Sequence, residues 1–254
     1  MRRCENKTVL ITGASSGIGQ ACARELAREG AKLILSGRRE EKLQALAAEL
    51  QQTYHSTVHQ LICDVQNRDA VQQALRQLPE SFQTIDVLIN NAGLALGLDK
   101  MHDAQSRDWD QMIDTNIKGV LYMTEYVLPK MLARNAGHVI NIGSTAGHHT
   151  YPGGSVYCAT KYAVNALTKT LSQEVAGTKL RVSEIAPGMV ETEFSLIRFK
   201  GDQTRAQKVY ENITPLTAMD VADAVLYAVT RPAHVNIAEI LLYSTDQPAA
   251  FRPG

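Results

Sequence analysis

The stretch KTVLITGASSGIG, residues 7–19, decides the fold of this chain. Its first part, KTVLIT (7–12), is a compact apolar run that ends at Gly13, and a helical pattern starts at about Gly17. A strand that leads through a glycine-rich turn into a helix is how a dinucleotide-binding βαβ unit begins. The stretch therefore predicts an α/β protein whose first turn faces a ligand.

The turn TGASSGIG (12–19) suits a phosphate group. Glycines allow a tight turn and a close approach of the helix to the sheet, and the free N–H groups at the helix start can bind a pyrophosphate with the help of the helix dipole. The residues predicted to contact a cofactor here are Gly13, Ser15, Ser16, Gly17, Ile18 and Gly19. The spacing is G-x-x-x-G-x-G rather than the commoner G-x-G-x-x-G, so a glycine turn without a ligand stays the alternative.

Beyond this unit, short β-rich runs alternate with longer helical stretches. Further strands are predicted at AKLILSG (31–37), TVHQLICDV (57–65), IDVLINNAG (85–93), GHVINIGS (137–144), LRVSEIAPG (180–188) and IAEILLY (237–243). Helices are predicted at 17–29, 38–52, 108–132 and 155–177. Apolar strands that are each followed by a helix require a parallel sheet covered on both faces. The pattern predicts a doubly wound, mostly parallel sheet of about seven strands with helices on both faces.

No Pro/Gly-rich linker, low-complexity tract or repeat divides the chain, which indicates one domain over residues 1–254. The least regular segment is about 189–220, which has mixed charge and no clean period. Such an excursion from a compact domain is often a lid or binding loop. An ordinary pair of surface helices fits the segment equally well.

Composition excludes several classes of protein. The chain has 26 basic and 26 acidic residues and a pI near 7.1, so nothing indicates a nucleic-acid partner. No apolar run approaches the roughly 18 residues that span a bilayer, and none near the start is long enough for a signal peptide. We expect a cytoplasmic protein with no membrane partner. Four scattered cysteines (Cys4, Cys22, Cys63 and Cys158) predict reduced structural thiols rather than a disulfide framework or a metal site.

The end of the second predicted strand indicates which dinucleotide binds. An acidic residue there would grip the hydroxyls of an adenosine ribose, but LILSGRREE places Gly37 at that point, followed by Arg38 and Arg39. With no carboxylate at the strand end to repel it and two guanidinium groups to pair with it, the 2′-phosphate of NADP is favoured, and so NADP over NAD. The alternative is that both arginines pair with Glu40 and Glu41 on the helix surface.

Two further strand ends are expected at the same edge of the sheet, where doubly wound proteins bind ligands. Asp64 and Val65 end the third strand, and Asn91, Ala92 and Gly93 follow the fourth. Asp64 suits the adenine amine and Asn91 suits the neighbouring backbone. A helix cap or turn cap is the alternative for either side chain.

Several motifs occur together with the pair Tyr157-x-x-x-Lys161 in SVYCATKYAV (155–164), whose two side chains share one helical face. They are TGASSGIG, NNAG, Asn116, Ser144 and PGMVET (187–192). With these motifs in this order, the chain resembles the short-chain dehydrogenase/reductases, which have a Rossmann fold. IDVLINNAGLALG, MIDTNIKGVLYMT, INIGSTAGHHTYPGG, IRFKGD and PAHVNI are similar to the NADP-dependent 3-hydroxy acid dehydrogenases within that family.

The resemblance implies a hydride transfer between an alcohol and NADP, without a metal. Tyr157 is then the general base, and Lys161 both lowers the pKa of its phenol and binds the nicotinamide ribose. Ser144 binds the substrate oxygen, and Asn116 holds a water that relays protons from Lys161. A turn cap is the alternative for Ser144, and a buried amide that braces the backbone is the alternative for Asn116. Cys158, beside Tyr157 in the sequence, is expected to have only a packing role, as is Tyr162.

The resemblance also implies that Pro187, Gly188 and Val190 line the nicotinamide and that Thr192 contacts the cofactor. A hydroxy acid needs a cation for its carboxylate, and Arg198 is the best candidate, followed by Lys200. The sequence further predicts that His148 and His149, unusual beside the STAG motif, reshape the substrate pocket.

The resemblance thus implies interconversion of a small 3-hydroxy acid (serine, allo-threonine, 3-hydroxypropionate or 3-hydroxyisobutyrate) and its 3-oxo acid. A reductase of other carbonyl compounds or of 3-oxoacyl thioesters is the alternative, and a dinucleotide-sensing protein without catalysis is a third hypothesis. The resemblance implies a homotetramer in which the helices at 108–132 and 155–177 pack between subunits.

Overall fold

The structure is a computed structural model that describes residues 2–247. Met1 and residues 248–254, which the predicted domain 1–254 includes, lie outside the described residues. None of the helices in the described range combines the length and the apolar composition that crossing a membrane requires.

The strands of residues 2–247 form two parallel sheets. The main sheet contains β1 Thr8–Thr12, β2 Lys32–Gly37, β3 Val58–Ile62, β4 Val87–Asn90, β5 Gly137–Ile142, β6 Leu180–Pro187 and, after the two strands of the small sheet, β9 Glu239–Leu242. Its order is β3-β2-β1-β4-β5-β6-β9, and every pairing is parallel. The chain runs from β1 outward to β3 and then returns to the other side of β1 at β4. This reversal of strand order opens a crevice at the carboxyl ends of the central strands.

The small sheet pairs β7 Val190–Glu191 with β8 Leu216–Thr217. The helices are α1 Gly17–Arg28, α2 Glu40–Tyr54, α3 Arg68–Arg76, α4 Ser106–Ile113, α5 Gly119–Arg134, α6 Ser155–Glu174, α7 Glu193–Arg198, α8 Gln203–Lys208 and α9 Ala218–Val229. Together with the main sheet they confirm the predicted doubly wound α/β fold.

Both faces of the main sheet are buried, because successive side chains of a strand point to opposite faces. In β1, Val9 and Ile11 join the core that packs under α1, α2 and α9, whereas Leu10 joins the core under α3 and α5. This two-sided burial explains why the strands read as continuous apolar runs rather than as alternating patterns.

Several predicted strands extend further than the observed ones at their carboxyl ends. β3 ends at Ile62 rather than at residue 65, β4 at Asn90 rather than at 93, and β5 at Ile142 rather than at 144. The residues that follow leave the strand ladder and form loops at the edge of the sheet. The polar residues at these positions therefore face the crevice rather than a neighbouring strand.

Two other regions differ from the predicted elements. The predicted helix 108–132 is two helices, α4 and α5, joined by one π-helical turn at Asp114–Lys118. The segment 189–220 contains β7, the short helices α7 and α8, β8 and the start of α9. Helices of six residues are too short to show a period in the sequence, which explains the irregular appearance of this segment.

Candidate active site

A cleft of about 360 Å³ lies at the carboxyl ends of the central strands. This volume is that of a small-molecule site. The predicted site residues that line it are Gly13, Ser15, Ser16, Gly17, Ile18, Arg38, Arg39, Asp64, Val65, Asn91, Ala92, Gly93, Ser144, Tyr157, Lys161, Pro187, Gly188, Val190 and Thr192. Gly19, Asn116 and Arg198 were also predicted and do not line it.

The glycine turn is held against the end of β4. Gly17 has a φ of +53°, a conformation that favours glycine. A Cβ at Gly19 would lie 2.5 Å from the Asn91 Nδ2 and from the Gly13 carbonyl oxygen, so only glycine fits there. The Asn91 Nδ2 donates to the carbonyl oxygens of Thr12 at 2.8 Å and Gly13 at 3.2 Å. The Asn91 side chain thus holds the backbone of the glycine turn in place.

The opposite side of the glycine turn carries a cluster of cations. The Arg39 guanidinium donates to the hydroxyls of Ser15 at 3.0 Å and Ser16 at 2.6 Å. It also donates to the Glu193 carboxylate at 2.9 Å, and the Lys42 ammonium donates to the same carboxylate at 2.7 Å. These two hydrogen bonds, from Lys42 and then Arg39, lower the pKa of Glu193 to about 2. Arg39 and Lys42 therefore already bind one anionic group, the Glu193 carboxylate.

Two residues of this cluster, Lys42 and Glu193, were not predicted from the sequence. Lys42 lies in the first turn of α2, three residues after Arg39 at its N-cap, and this spacing was a signal that the two side chains are neighbours. Glu193 had no signal in the sequence, because it is more than 150 residues from its cationic partners. Arg38 lies 3.6 Å from the Asp64 carboxylate. In the described part of the chain neither arginine pairs with Glu40 or Glu41, so the alternative of a pairing on the helix surface is wrong.

Asp64 has the predicted position in the cleft and also the role of a turn cap. Its Oδ1 accepts a hydrogen bond from the Gln66 backbone N–H at 3.0 Å, and its Oδ2 faces Arg38. Because both carboxylate oxygens have protein partners, the contact of Asp64 with an adenine stays a prediction.

At the other end of the cleft, α6 carries Tyr157 and Lys161, and Ser144 follows β5. All three side chains are buried. The Lys161 ammonium donates to the Ile142 carbonyl oxygen at 2.9 Å and lies 6.0 Å from the centre of the Tyr157 ring. The Ser144 hydroxyl accepts from the Ala146 N–H at 3.1 Å. A phenol, an ammonium group and a hydroxyl, each able to donate a proton or a hydrogen bond, therefore lie together at a buried end of the cleft.

Burial dominates the acid–base behaviour of this end. It lowers the pKa of Lys161 to about 8, against the opposing effect of the Glu184 carboxylate. It also raises the pKa of Tyr157 well above its ordinary value, an effect that Tyr151 reinforces and that hydrogen bonding to Ser144 opposes. In the chain alone, the cost of removing the phenolate from water dominates the pKa of Tyr157. The lowering of this pKa by Lys161 together with a bound nicotinamide stays a prediction.

Asn116 lies in the π-helical turn and braces the backbone. Its Oδ1 accepts from the Leu94 N–H at 2.9 Å, and its Nδ2 donates to the Leu94 carbonyl oxygen at 2.8 Å and to the Thr160 hydroxyl at 3.0 Å. The buried amide therefore has the bracing role that was the alternative for it. A π-helical turn often marks a functional position, and the water relay stays a prediction.

Arg198, at the end of α7, lies over the Tyr157 ring but does not line the cleft. Its guanidinium carbon lies 5.3 Å from the centre of the Tyr157 ring, and its Nη2 donates to the Tyr151 hydroxyl at 2.6 Å. Its Nε donates to the Gly97 carbonyl oxygen at 3.2 Å. Within residues 2–247 these bonds leave the Nη1 for a further acceptor.

Lys200, the second candidate cation, points elsewhere. Its ammonium lies 2.7 Å from the carboxylate of the buried Asp108, and it does not line the cleft. His148 and His149 do not line the cleft either. His149 is exposed, and the His148 ring nitrogen lies 3.2 Å from the Glu239 carboxylate. Both histidines follow the short turn at Thr145–Gly147, and their effect on the substrate pocket stays a prediction.

A sequence model of the short chain dehydrogenase family matches residues 7–201. The chain belongs to this family.

Similar proteins span nearly the whole chain. NADP-dependent 3-hydroxy acid dehydrogenase YdfG of Salmonella typhi is 50% identical over 243 residues, which cover 95% of this chain and 96% of that protein. Sulfoacetaldehyde reductase 2 of Chromohalobacter salexigens is 47% identical over 240 residues, or 94% of each chain. The structure of the closed form of serine dehydrogenase complexed with NADP+ is 47% identical, with a TM-score of 0.91, and covers 97% of this chain and 98% of that chain.

The cleft of this short chain dehydrogenase fits a dinucleotide. A Cβ at Gly17 would lie 3.3 Å from the Thr192 side chain, so the glycine keeps the space beside the turn open. At the Arg39–Lys42 cluster the Glu193 carboxylate stands in for an anion such as a phosphate. The open space beside Gly17 and the cationic cluster therefore lie along the same cleft that Tyr157 lines.

Proposed function

We propose that the protein is an NADP-dependent oxidoreductase that interconverts a small 3-hydroxy acid and its 3-oxo acid, with Tyr157 as general acid and base. The observation that carries the proposal is the Arg198 guanidinium 5.3 Å from the Tyr157 ring centre. A fixed cation beside the reactive phenol suits a substrate with an anionic group close to its hydroxyl. The names of the 3-hydroxy acid dehydrogenase and the serine dehydrogenase among the similar proteins agree with it.

Residues along the whole cleft would hold the cofactor. The turn at residues 13–19 would bind the pyrophosphate, and Arg38, Arg39 and Lys42 would bind the 2′-phosphate. Lys161 would bind the nicotinamide ribose, and the segment 187–192 would line the ring. When bound, the nicotinamide accepts or supplies the hydride.

Tyr157 moves the proton. Because burial keeps its pKa high, the phenol holds its proton near neutrality and is ready to donate it to the oxygen of a carbonyl substrate. The Lys161 ammonium stabilises the phenolate that remains. In the direction of alcohol oxidation, the phenolate takes the proton of the substrate hydroxyl.

Ser144 orients the reacting oxygen. Its hydroxyl proton points to the Pro187 carbonyl oxygen at 3.4 Å, a long bond that is easily exchanged for a better acceptor. An oxygen that gains negative charge during the reaction is such an acceptor, and a preorganised donor stabilises that charge.

A reductase of a small anionic aldehyde is the second candidate, and the same guanidinium supports it. Sulfoacetaldehyde reductase 2 is 47% identical to this chain, and a sulfonate is a second anion that Arg198 suits. Neutral carbonyl compounds and 3-oxoacyl thioesters carry no such anion beside the reacting carbon, so they gain nothing from this cation.

Initial rates on a substrate panel test the proposal. With NADP+, we expect turnover of serine, L-allo-threonine, 3-hydroxypropionate and 3-hydroxyisobutyrate, and much weaker turnover of 1,3-propanediol, which lacks the carboxylate. With NADPH, sulfoacetaldehyde tests the anionic aldehyde and an acetoacetyl thioester tests the 3-oxoacyl substrates. A preference for the diol or the thioester would reject the assignment.

An exchange of Arg198 locates the specificity. Arg198→Gln is expected to raise the KM for 3-hydroxypropionate about tenfold or more, because a charge-assisted hydrogen bond is lost. The KM for 1,3-propanediol should hardly change, and Arg198→Lys should retain part of the preference. An equal effect on acid and diol would show that Arg198 acts only through the fold of α7.

We further propose that the segment 189–220 is a lid over the cleft. α7 places Phe194 in the lining of the same cleft as Val190 and Thr192, with its ring centre 5.7 Å from that of Tyr157. Protection of α7 from hydrogen exchange by NADP tests the lid.

We also propose that the protein is a homotetramer. On the helices expected at subunit interfaces, Leu121 and Tyr162 are each 42% exposed, so the packing role expected for Tyr162 is not fulfilled within the chain. Light scattering on a sizing column tests the tetramer.

A further inference from the structure

Three metal-ligand side chains meet outside the cleft. His148 follows the turn after β5, Glu184 lies in β6 and Glu239 lies in β9. One ligand atom from each lies within 4.8 Å of the other two. The prediction of no metal rested on the scattered cysteines and on a reaction that needs no metal. These three residues are not cysteines, and none of them is among the predicted catalytic residues.

The two carboxylates are forced together by the sheet. Glu184 and Glu239 are register partners in adjacent parallel strands, so their side chains leave the same face of the sheet side by side. Like charges in this position destabilise a sheet. Among the described residues, no lysine or arginine nitrogen lies within 4.0 Å of either carboxylate. Lys161 and Lys169 act on Glu184 only from beyond that distance, so the one titratable ring in direct contact with the pair is that of His148.

A neutral amide bridges the pair on one side. The Asn165 Nδ2 donates to the Glu184 Oε2 at 2.7 Å and to the Glu239 Oε1 at 2.9 Å, and it lies 3.5 Å from the His148 Nε2. This donor fixes the orientation of both carboxylates but adds no positive charge. Hydrogen-bonded carboxylates held in this way are typical of the surroundings of metal ligands.

One oxygen of the cluster has no partner. The Glu184 Oε1 is fully buried, and no hydrogen-bond donor reaches it within residues 2–247. The His148 Nε2 is 3.9 Å away, beyond hydrogen-bonding distance, and the Glu184 side chain is only 1% exposed. A buried polar oxygen without a donor is costly. On one side it lies against Gly143, where a Cβ would overlap it.

We propose that His148, Glu184 and Glu239 bind a divalent transition-metal ion, with Zn²⁺ as the best fit. One imidazole and two carboxylates are ligands that zinc accepts, at about 2.1 Å from the ion. Two ligand atoms of a tetrahedral site are then about 3.4 Å apart. The His148–Glu239 distance of 3.2 Å fits, and the His148–Glu184 distance of 3.9 Å requires a closure of a few tenths of an ångström.

The surroundings provide access and suggest a role. The Glu239 side chain is 29% exposed and His148 is 16% exposed, which leaves a path for the ion and a position for a water as fourth ligand. The ion would tie β6 and β9 to the segment after β5, in which Ser144 precedes His148 by four residues. Its role is structural and separate from the proton transfer at Tyr157.

Calorimetric titration of the tag-free, EDTA-treated full chain with ZnCl₂ tests the site, together with metal content by mass spectrometry after dialysis. We expect one Zn²⁺ per chain and a higher Tm in its presence. His148→Gln should weaken binding at least tenfold. His149→Gln, an exchange of the exposed neighbouring histidine, should bind as the unchanged protein does.

Other outcomes overturn the proposal. Titration heats that are absent, or that the two histidine variants reduce equally, would mean that no site exists at His148. A Tm that rises in Glu184→Gln while Zn²⁺ leaves the unchanged protein unaffected would mean that a proton, rather than a metal, neutralises the pair. Glu239→Gln, at a partly exposed position, provides a second folded variant in which Zn²⁺ binding must also fall. None of these measurements depends on turnover.

Discussion

The two ends of the cleft stabilise charge in opposite ways. At the end with Tyr157 and Lys161 the side chains are buried, and burial itself sets their pKa values. At the end with Arg39, Lys42 and Glu193 the side chains are 40–47% exposed, and they pair with one another in contact with water. The difference indicates that the buried end is built for one reaction geometry, whereas the exposed end can exchange one anionic partner for another.

The largest effect is expected from Tyr157→Phe at the buried end. The variant keeps the ring but loses the proton donor, so kcat should fall about 10³-fold. The Kd for NADPH and the Tm should change little. Tyr162→Phe, on the exposed side of the same helix, is the matched control and should leave kcat unchanged. If Tyr157→Phe retains full turnover, another group moves the proton and the buried end has no special role.

The pH dependence of stability measures how strongly burial acts on Lys161. Its pKa is lowered to about 8 from 10.5, so between these values the unfolded chain binds more protons than the folded one. The free energy of unfolding of the cofactor-free protein should therefore rise with pH through this window. The charged lysine costs about 3 kcal/mol below pH 8, and this cost is relieved as pH increases.

Lys161→Met removes this titration. Denaturant unfolding of the variant from pH 7.5 to 10.5 should show a flatter profile than that of the unchanged protein. Lys169→Met, at an exposed lysine of the same helix, should keep the original slope. Identical profiles for all three proteins would mean that Lys161 is as well solvated as a surface lysine.

An intermediate effect is expected from Arg39→Ala at the exposed end. The loss of charge-assisted bonds to the 2′-phosphate should raise the Kd for NADPH about tenfold or more, with little change for NADH. Higher salt should reduce the difference, because exposed charges are screened. A parallel loss of affinity for both cofactors would indicate that Arg39 only supports the turn through Ser15 and Ser16.

The smallest effect is expected from Glu193→Gln. The carboxylate that holds Arg39 and Lys42 competes with a phosphate for them, and an exposed pair of this kind contributes about 1 kcal/mol or less. Its loss should lower the Kd for NADPH about threefold, whereas Glu191→Gln, two residues before it, should have no effect. Weaker NADPH binding in Glu193→Gln would mean that the carboxylate organises the cluster rather than competing for it.

The sequence by itself determined the layered fold and the order of the strands along the chain. Strands buried on both faces must be apolar throughout, and the glycine turn must follow β1, so these features are visible in short windows. Tyr157 and Lys161 were also predictable, because helical geometry alone places residues four apart on one face.

Only the tertiary structure decided which distant side chains meet. The π-helical turn at 114–118 and the short helices of 189–220 leave no period in the sequence. The pairing of Arg39 with Glu193 and the meeting of His148, Glu184 and Glu239 each join separate elements of the chain. Periodicity reports which face of an element is buried, but the partner across that face depends on how the elements pack.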